Sequence, residues 1–237
     1  MKNLMTYTSY QRRFTPEYIP MVEAQIENSL DYWAPEDIII ATNFPYEYKG
    51  IKSIVFPGNF YSIFHKMASK PGIIAYLLEN KIIDELTWVH DFDAFQLTEL
   101  NPPEITHDLA LTSYGFKPEI NTGSMFFKPE ALDIFKLMRD RTLRYQTFDE
   151  MALQILIDHN VNYINSRIQM LDQTFNIGIR CTKTIYRDAE KPIRVVHFPP
   201  YDQRWMNKMS IFLPDKLRKI LDEKLHHLRQ SGQGIQA

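Results

Sequence analysis

The sequence predicts an α/β fold, a mixed but mainly parallel sheet flanked by helices in a single domain. Three observations predict it. Short apolar runs alternate with amphipathic helical stretches through the first half of the chain. The run Asp37 to Thr42 (DIIIAT) has no exposed polar face and reads as a strand buried in a sheet. Neither a linker nor an internal repeat divides the 237 residues, of which 44% are hydrophobic and 24% charged, enough to build one full core.

The elements follow in order. Leu4 to Tyr7 reads as the first strand. Thr15-Pro16-Glu17 opens a helix, with Thr15 as N-cap and Pro16 at its first position. Ile19, Val22, Ile26 and Leu30 form its apolar face. Asp37 to Thr42 and Ile51 to Phe56 are strands. Asn59 to Ser69 is helical, with Phe60, Phe64 and Met67 inward; Pro71-Gly72 ends it, and a second helix runs from Ile73 to Asn80. Leu86 to His90 is a strand leading into Asp91. Leu109 to Thr112 and Ser124 to Phe127 are strands, Pro129 to Tyr145 and Thr147 to His159 helices. Val161 to Asn165 and Ile193 to Phe198 are strands, and Leu213 to Leu228 is an amphipathic terminal helix. The domain is read as residues 1–228, with a disordered tail over 229–237 rich in Gln, Gly and Ser.

A net charge of −2 offers no basic face for nucleic acid. No apolar run approaches the roughly 20 residues that span a bilayer, and no secretory leader or Asn-x-Ser/Thr site is seen, which points to a cytoplasmic protein. The single cysteine, Cys181, reads as a small buried hydrophobe. Nothing in the sequence speaks to oligomeric state.

The chemistry starts at Asp91-Phe92-Asp93. Ligands of open α/β sheets bind at the carboxyl ends of strands, and alternation there points both carboxylates one way with Phe92 inward. Two such acids repel unless a cation joins them, and Mg2+ or Mn2+ bound to phosphate oxygens meets that need. Solvated acids in a loop are the plainer alternative. Downstream lie Asn121-Thr122-Gly123-Ser124 before an apolar strand, Phe148-Asp149-Glu150 at a helix start, and His197 at a strand end. Thr147 and Glu150 fit a capping box, which gives Glu150 a structural task. Asp149 has only the helix dipole to explain it and is the candidate catalytic carboxylate.

This ordered set resembles glycosyltransferases of the GT-A fold, Rossmann-like enzymes with an Asp-x-Asp motif. Those related to glycogenin and the lipopolysaccharide galactosyltransferases, and the small glycosyltransferases of large DNA viruses, are the nearest in flavour. The resemblance spans roughly residues 4 to 205. It implies a metal-dependent hexosyl- or deoxyhexosyltransferase that takes a nucleotide sugar, with uridine as the expected nucleotide, to an acceptor hydroxyl of a carbohydrate or glycoconjugate. It implies Asp91, Asp93 and His197 as ligands of Mn2+ or Mg2+. It implies donor contacts at Thr6, Tyr7 and Thr8 after the first strand, and at Asn121 and Gly123. Lys66 and Lys70 either offset phosphate charge or are solvated. Arg204-Trp205 stands where some members carry a diphosphate-binding Lys before Pro-Trp; Arg204 is either a phosphate clamp or a surface residue packed on Trp205. Two other functions compete. One is a phosphohydrolase forming an aspartyl-phosphate; the adjacent His90-Asp91 pair hints instead at a metal phosphohydrolase, but no partner histidines stand at a suitable spacing. The other is a non-catalytic module of the same fold.

Overall fold

The structure is a computed structural model that describes residues 1–57, 68–115, 119–179 and 183–231. An interior strand of its sheet is β1, Lys2–Tyr7, where Leu4 and Met5 are both fully buried but belong to different cores. Such a strand is covered on both faces, as parallel sheets are. In chain order there follow the helix α1 (Ile19–Leu30), β2 (Ile38–Thr42), a two-residue hairpin of β3 (Glu47–Tyr48) and β4 (Ile51–Lys52), and β5 (Ile54–Val55). Next come α2 (Ser69–Glu79), β6 (Thr87–His90), β7 (Ala94–Gln96), β8 (Leu109–Ser113) and β9 (Ile120–Phe127). The chain continues with α3 (Leu132–Tyr145), α4 (Asp149–Asp158), β10 (Ile168–Met170), β11 (Ile177–Gly178), α5 (Lys183–Asp188), β12 (Val195–His197), α6 (Gln203–Met209) and α7 (Asp215–Ser231).

Seven strands form the main sheet in the order β10-β8-β9-β6-β1-β2-β5. All run parallel except β9, which is antiparallel to both β6 and β8. This is the expected α/β fold in one domain. One core holds Met5, Ile40 and Phe92 against α1 and α7; the other holds Leu4, Val89 and Phe127 against α2, α3 and α4. A charged clasp ties α7 to α1: the Lys224 ammonium lies 2.9 Å from Glu23 and 3.1 Å from Glu27, and Tyr48 donates its hydroxyl to Glu27 at 2.6 Å. A smaller sheet, β11-β12-β7, stands beside the main one, with β7 and β12 antiparallel and Ala94 opposite His197.

Several elements differ from expectation. The first helix starts at Ile19, not Pro16; Thr15 to Tyr18 makes a turn closed by the Tyr18 and Ile19 N–H groups on the Thr15 carbonyl, and Pro20 occupies the first helical turn. Pro71-Gly72 does not break a helix but lies in the first turn of α2, where a missing N–H costs nothing because those donors lack intrahelical partners anyway. The expected strand Val161–Asn165 is a 3-10 segment, with Asn162 and Tyr163 in the left-handed region at φ 51° and 57°. The edge strand is β10, which begins three residues past Asn165. The terminal helix runs to Ser231, and the Arg229 side chain is 2% exposed and paired with Asp222. The expected helix around Phe60, Phe64 and Met67, together with Lys66 and Cys181, lies outside the described residues. Among the described residues no helix is long and apolar enough to cross a membrane.

Candidate functional site

The site is built on the strand ends of β6 and β9. Directly after β6 the chain turns: the Ala94 N–H donates to the Asp91 carbonyl at 3.0 Å, so a turn rather than strand alternation sets the two aspartates on one side. Phe92, 2% exposed, packs inward against Phe14 and Tyr18. The chain then doubles back as β7 and pairs with β12. That pairing sets His197 opposite Ala94, and the Phe198 N–H bonds the Asp93 carbonyl at 3.0 Å. The result is a group of one oxygen each from Asp91 and Asp93 and a nitrogen of His197, all within 4.8 Å of one another. His197 Nε2 lies 3.1 Å from Asp93 and 3.8 Å from Asp91.

The Asn121-Thr122-Gly123 segment is not a turn before a strand but a bulge inside β9. Pairing with β8 passes from Leu111↔Met125 to Thr112↔Asn121, so Thr122, Gly123 and Ser124 have no β8 partner. Asn121, Thr122 and Gly123 each serve the site. The Asn121 side chain, 1% exposed, accepts the Gly123 N–H at 2.9 Å and holds the bulge in shape. The Gly123 carbonyl accepts the Asp91 N–H at 2.9 Å. Thr122 donates its hydroxyl to Asp149 at 2.9 Å and its carbonyl accepts from Lys70 at 2.8 Å. Gly123 must be glycine: a Cβ there would overlap the His197 ring.

Lys70 is not solvated. Its side chain is 15% exposed and its ammonium sits 2.7 Å from Asp91 and 3.7 Å from Asp149. Burial works to lower its pKa, but the charges of Asp91 and Asp149 outweigh that and raise it. Asp91 and Asp93 thus face His197, while Asp91 and Asp149, with the charge of Glu150 behind them, face Lys70. Burial tends to drive His197 neutral, yet the adjacent Asp93 raises its pKa to about 8. Asp93 is held below the usual carboxylate range by His197 against the effect of its own burial, while burial raises Asp91.

The capping box is absent. Phe148 is the N-cap of α4 and makes no side-chain capping bond, and Glu150 instead accepts the Tyr114 hydroxyl at 2.9 Å. His90 does not join the metal-type group: it is 1% exposed beneath the aspartates, stacked on Trp88 at 3.9 Å, with its ring nitrogens 2.7 Å from Asn3 and 3.0 Å from the Asp91 carbonyl. Burial lowers its pKa to about 3, which keeps the ring neutral.

Thr6 and Tyr7 close β1 and Thr8 follows it. Tyr7 packs between Phe14 at 4.7 Å and Tyr18 at 4.8 Å. The chain beyond is pinned by a two-way bond between Ser9 and Asn43. Sequence reading missed Tyr18, whose hydroxyl burial and the charges of Asp93 and Asp91 keep protonated; its only signal was a tyrosine at a helix start. Arg204 is 86% exposed and its guanidinium is clasped by Asp202 at 2.6 Å, so serving as a clamp requires breaking that pair. Trp205 carries Lys208 over its ring at 4.9 Å rather than Arg204.

No protein-family model matches the sequence, and comparison with curated proteins finds no match. Solved structures do match. The chain is similar to a glycosyltransferase involved in glycosylation of the major capsid of PBCV-1, at 14% identity and TM-score 0.53, over 83% of this chain and 93% of that one. It is similar to the glycosyltransferase GlyE of Streptococcus pneumoniae TIGR4, at 14% identity and TM-score 0.61, over 94% of this chain but only 62% of that one. It is also similar to the galactosyltransferase LgtC in complex with donor and acceptor sugar analogs, at 13% identity and TM-score 0.53, over 93% and 100%. At these identities the likeness is one of fold, and the fold is GT-A.

Proposed function

We infer that the protein is a metal-dependent glycosyltransferase, moving a hexosyl or deoxyhexosyl group from a uridine-diphosphate sugar to a hydroxyl of a carbohydrate or glycoconjugate. The observation that carries this reading is the Asp91–Asp93–His197 group at the carboxyl end of β6 in a GT-A fold. Two carboxylates and an imidazole are donors that suit Mn2+ or Mg2+. The excess of acids over bases around them leaves a charge that a divalent cation would balance. Bound there, such an ion would neutralise the diphosphate of the donor as it departs.

The remaining residues act around that point. Lys70 offers a buried positive charge between Asp91 and Asp149, suited to the leaving diphosphate or to fixing both acids. Tyr7, with Thr6 and Thr8, lies at the strand end where the base and ribose are expected. Asp149 is the candidate base for an inverting course. Its side chain is 11% exposed, is bonded to Thr122 and stands near Lys70, an arrangement that favours orienting the donor sugar. Asp149→Asn separates the two: loss of transfer with donor binding intact marks a base, whereas a loss on the order of tenfold with weaker donor affinity marks an orienting group.

The decisive experiment is a donor screen with nucleoside diphosphate release as the readout. Release from at least one uridine-diphosphate sugar is expected with Mn2+, abolished by a chelator and restored by added metal. Metal-linked nucleotide binding without release would point to the non-catalytic module, and release indifferent to the chelator would remove the metal assignment.

A further inference from the structure

The polar groups of Thr122 face three charged side chains of the site. Its hydroxyl donates to Oδ2 of Asp149 at 2.9 Å, and its carbonyl accepts from the Lys70 ammonium at 2.8 Å. Burial first, and then the charge of Asp149, raise the pKa of Glu150, and the Thr122 N–H is among the groups that work against them. The bulge makes this possible. Thr122 has no partner on β8, so its peptide groups are free of that ladder. The residue is 2% exposed, and polar groups at that depth require partners. Here the partners come from α2 and α4 rather than from β9 itself.

The consequence falls on Asp149. Its Oδ2 takes the Thr122 hydroxyl, with Lys70 3.7 Å away, and its Oδ1 takes the Glu150 N–H at 3.1 Å. Both oxygens are therefore engaged and the plane of the carboxylate is fixed. Without the hydroxyl, Oδ2 would keep only the ammonium, a point charge on a flexible stem that sets no plane. Threonine suits the task because two heavy atoms on its Cβ restrict χ1 and hold the hydroxyl in one direction. Threonine hydroxyls commonly bond nearby backbone of their own segment. This one reaches across 27 positions to an acid. A threonine that only fastened α4 to the sheet would change stability and leave turnover alone.

We propose that Thr122 is a positioning residue of the transfer reaction: its hydroxyl sets the plane of the Asp149 carboxylate, and its carbonyl holds Lys70 beside it. This rests on the glycosyltransferase reading and holds whether Asp149 acts as base or as orienting group. The resemblance to GT-A enzymes assigns Asn121 and Gly123 to the donor and gives no role to the residue between them. The test uses the full chain with Mn2+ and the uridine-diphosphate sugar that gives the fastest nucleoside diphosphate release. Thr122→Val keeps the shape and removes the hydroxyl. Its kcat is expected to fall about tenfold or more, while the Kd of uridine diphosphate with Mn2+, read by calorimetry, stays within about twofold. Thr122→Ser restores the donor and should keep kcat within about threefold. A purely structural role predicts lower melting temperatures with kcat unchanged. Should Thr122→Val fail to fold, Thr122→Ala is compared with Thr122→Ser, a pair that differs by the hydroxyl alone, and the same gap in kcat is expected. Three results overturn the proposal: turnover near the wild-type rate without the hydroxyl, an equal loss in Thr122→Ser, or uridine diphosphate affinity that falls in step with kcat. Release by the wild type tells the failures apart. With it, those results sink the role of Thr122 alone, and no release from any donor sinks both.

Discussion

Gly123 shapes the candidate site without chemistry of its own. The His197 ring occupies the volume where any other residue would place its Cβ. Gly123→Ala must therefore shift the imidazole or the bulge. The expected stability loss is about 1–3 kcal/mol, as for other overpacked sites. The larger consequence should be a weakening of apparent Mn2+ affinity by tenfold or more, read by calorimetry. Unchanged metal affinity would mean that His197 is not a ligand. The His197–Asp93 pair also makes metal-free stability depend on pH. The folded His197 has a pKa of about 8, above its unfolded value near 6.5. Its contribution is full below about pH 6.5 and is lost as pH rises through 8. Asp93, lowered by the same pair, contributes above the usual carboxylate pKa and loses its share as the pH falls below that. Chemical denaturation without metal should thus show a decline of at most about 2 kcal/mol between pH 6.5 and 9. A His197→Gln variant should flatten that slope, and an equal slope in the variant would place the titrating group elsewhere.

At the scale of elements, the helix α7 seals one face of the sheet. Leu221 and Leu225 are fully buried there, and Lys224 is held by Glu23, Glu27 and Tyr48 on α1 and the β3–β4 hairpin. Leu221→Ala should cost about 2–5 kcal/mol, the range for a buried leucine, measured by denaturant midpoint. A cost below 1 kcal/mol would show that α7 packs loosely. The amphipathic helices and apolar strands were legible from sequence because burial itself imposes a period. Pro71 and Val161 misled for opposite reasons. A proline in the first turn of a helix replaces an N–H that has no partner, whereas an apolar run beginning at Val161 contains left-handed backbone at Asn162 and Tyr163 that no periodicity reveals. The short strands β7 and β11 carry too few residues to show a period at all.

At the scale of the whole molecule, nucleotide and metal should stabilise the fold together. A ligand at about a hundred times its Kd adds roughly 2.7 kcal/mol to stability. Uridine diphosphate with Mn2+ is expected to raise the melting temperature by more than the sum of the two shifts measured singly, since each supplies charge the other needs. Additive shifts would show that the two do not share a site.

The sequence by itself determined the α/β class, the strand end at Asp91-Phe92-Asp93, and the order of acidic and histidine motifs behind it, because these follow from local periodicity and from the chemistry of adjacent side chains. Only the tertiary structure decided which of them meet. The return of the chain through β7 to β12 sets His197 against Asp93 across 104 positions of sequence. The bulge in β9 turns Asn121, Thr122 and Gly123 into supports for His197, Asp149 and Lys70. Burial between two carboxylates makes Lys70 part of the site, while the same residue type at an open helix end would be solvated. Glu150 lost the capping task its spacing suggested to a tyrosine 36 positions away, and Arg204 meets its neighbour Asp202 in an exposed ion pair. Pairing across such distances depends on sheet register and on the energy of burying charge, and neither quantity is written in any local stretch of the chain.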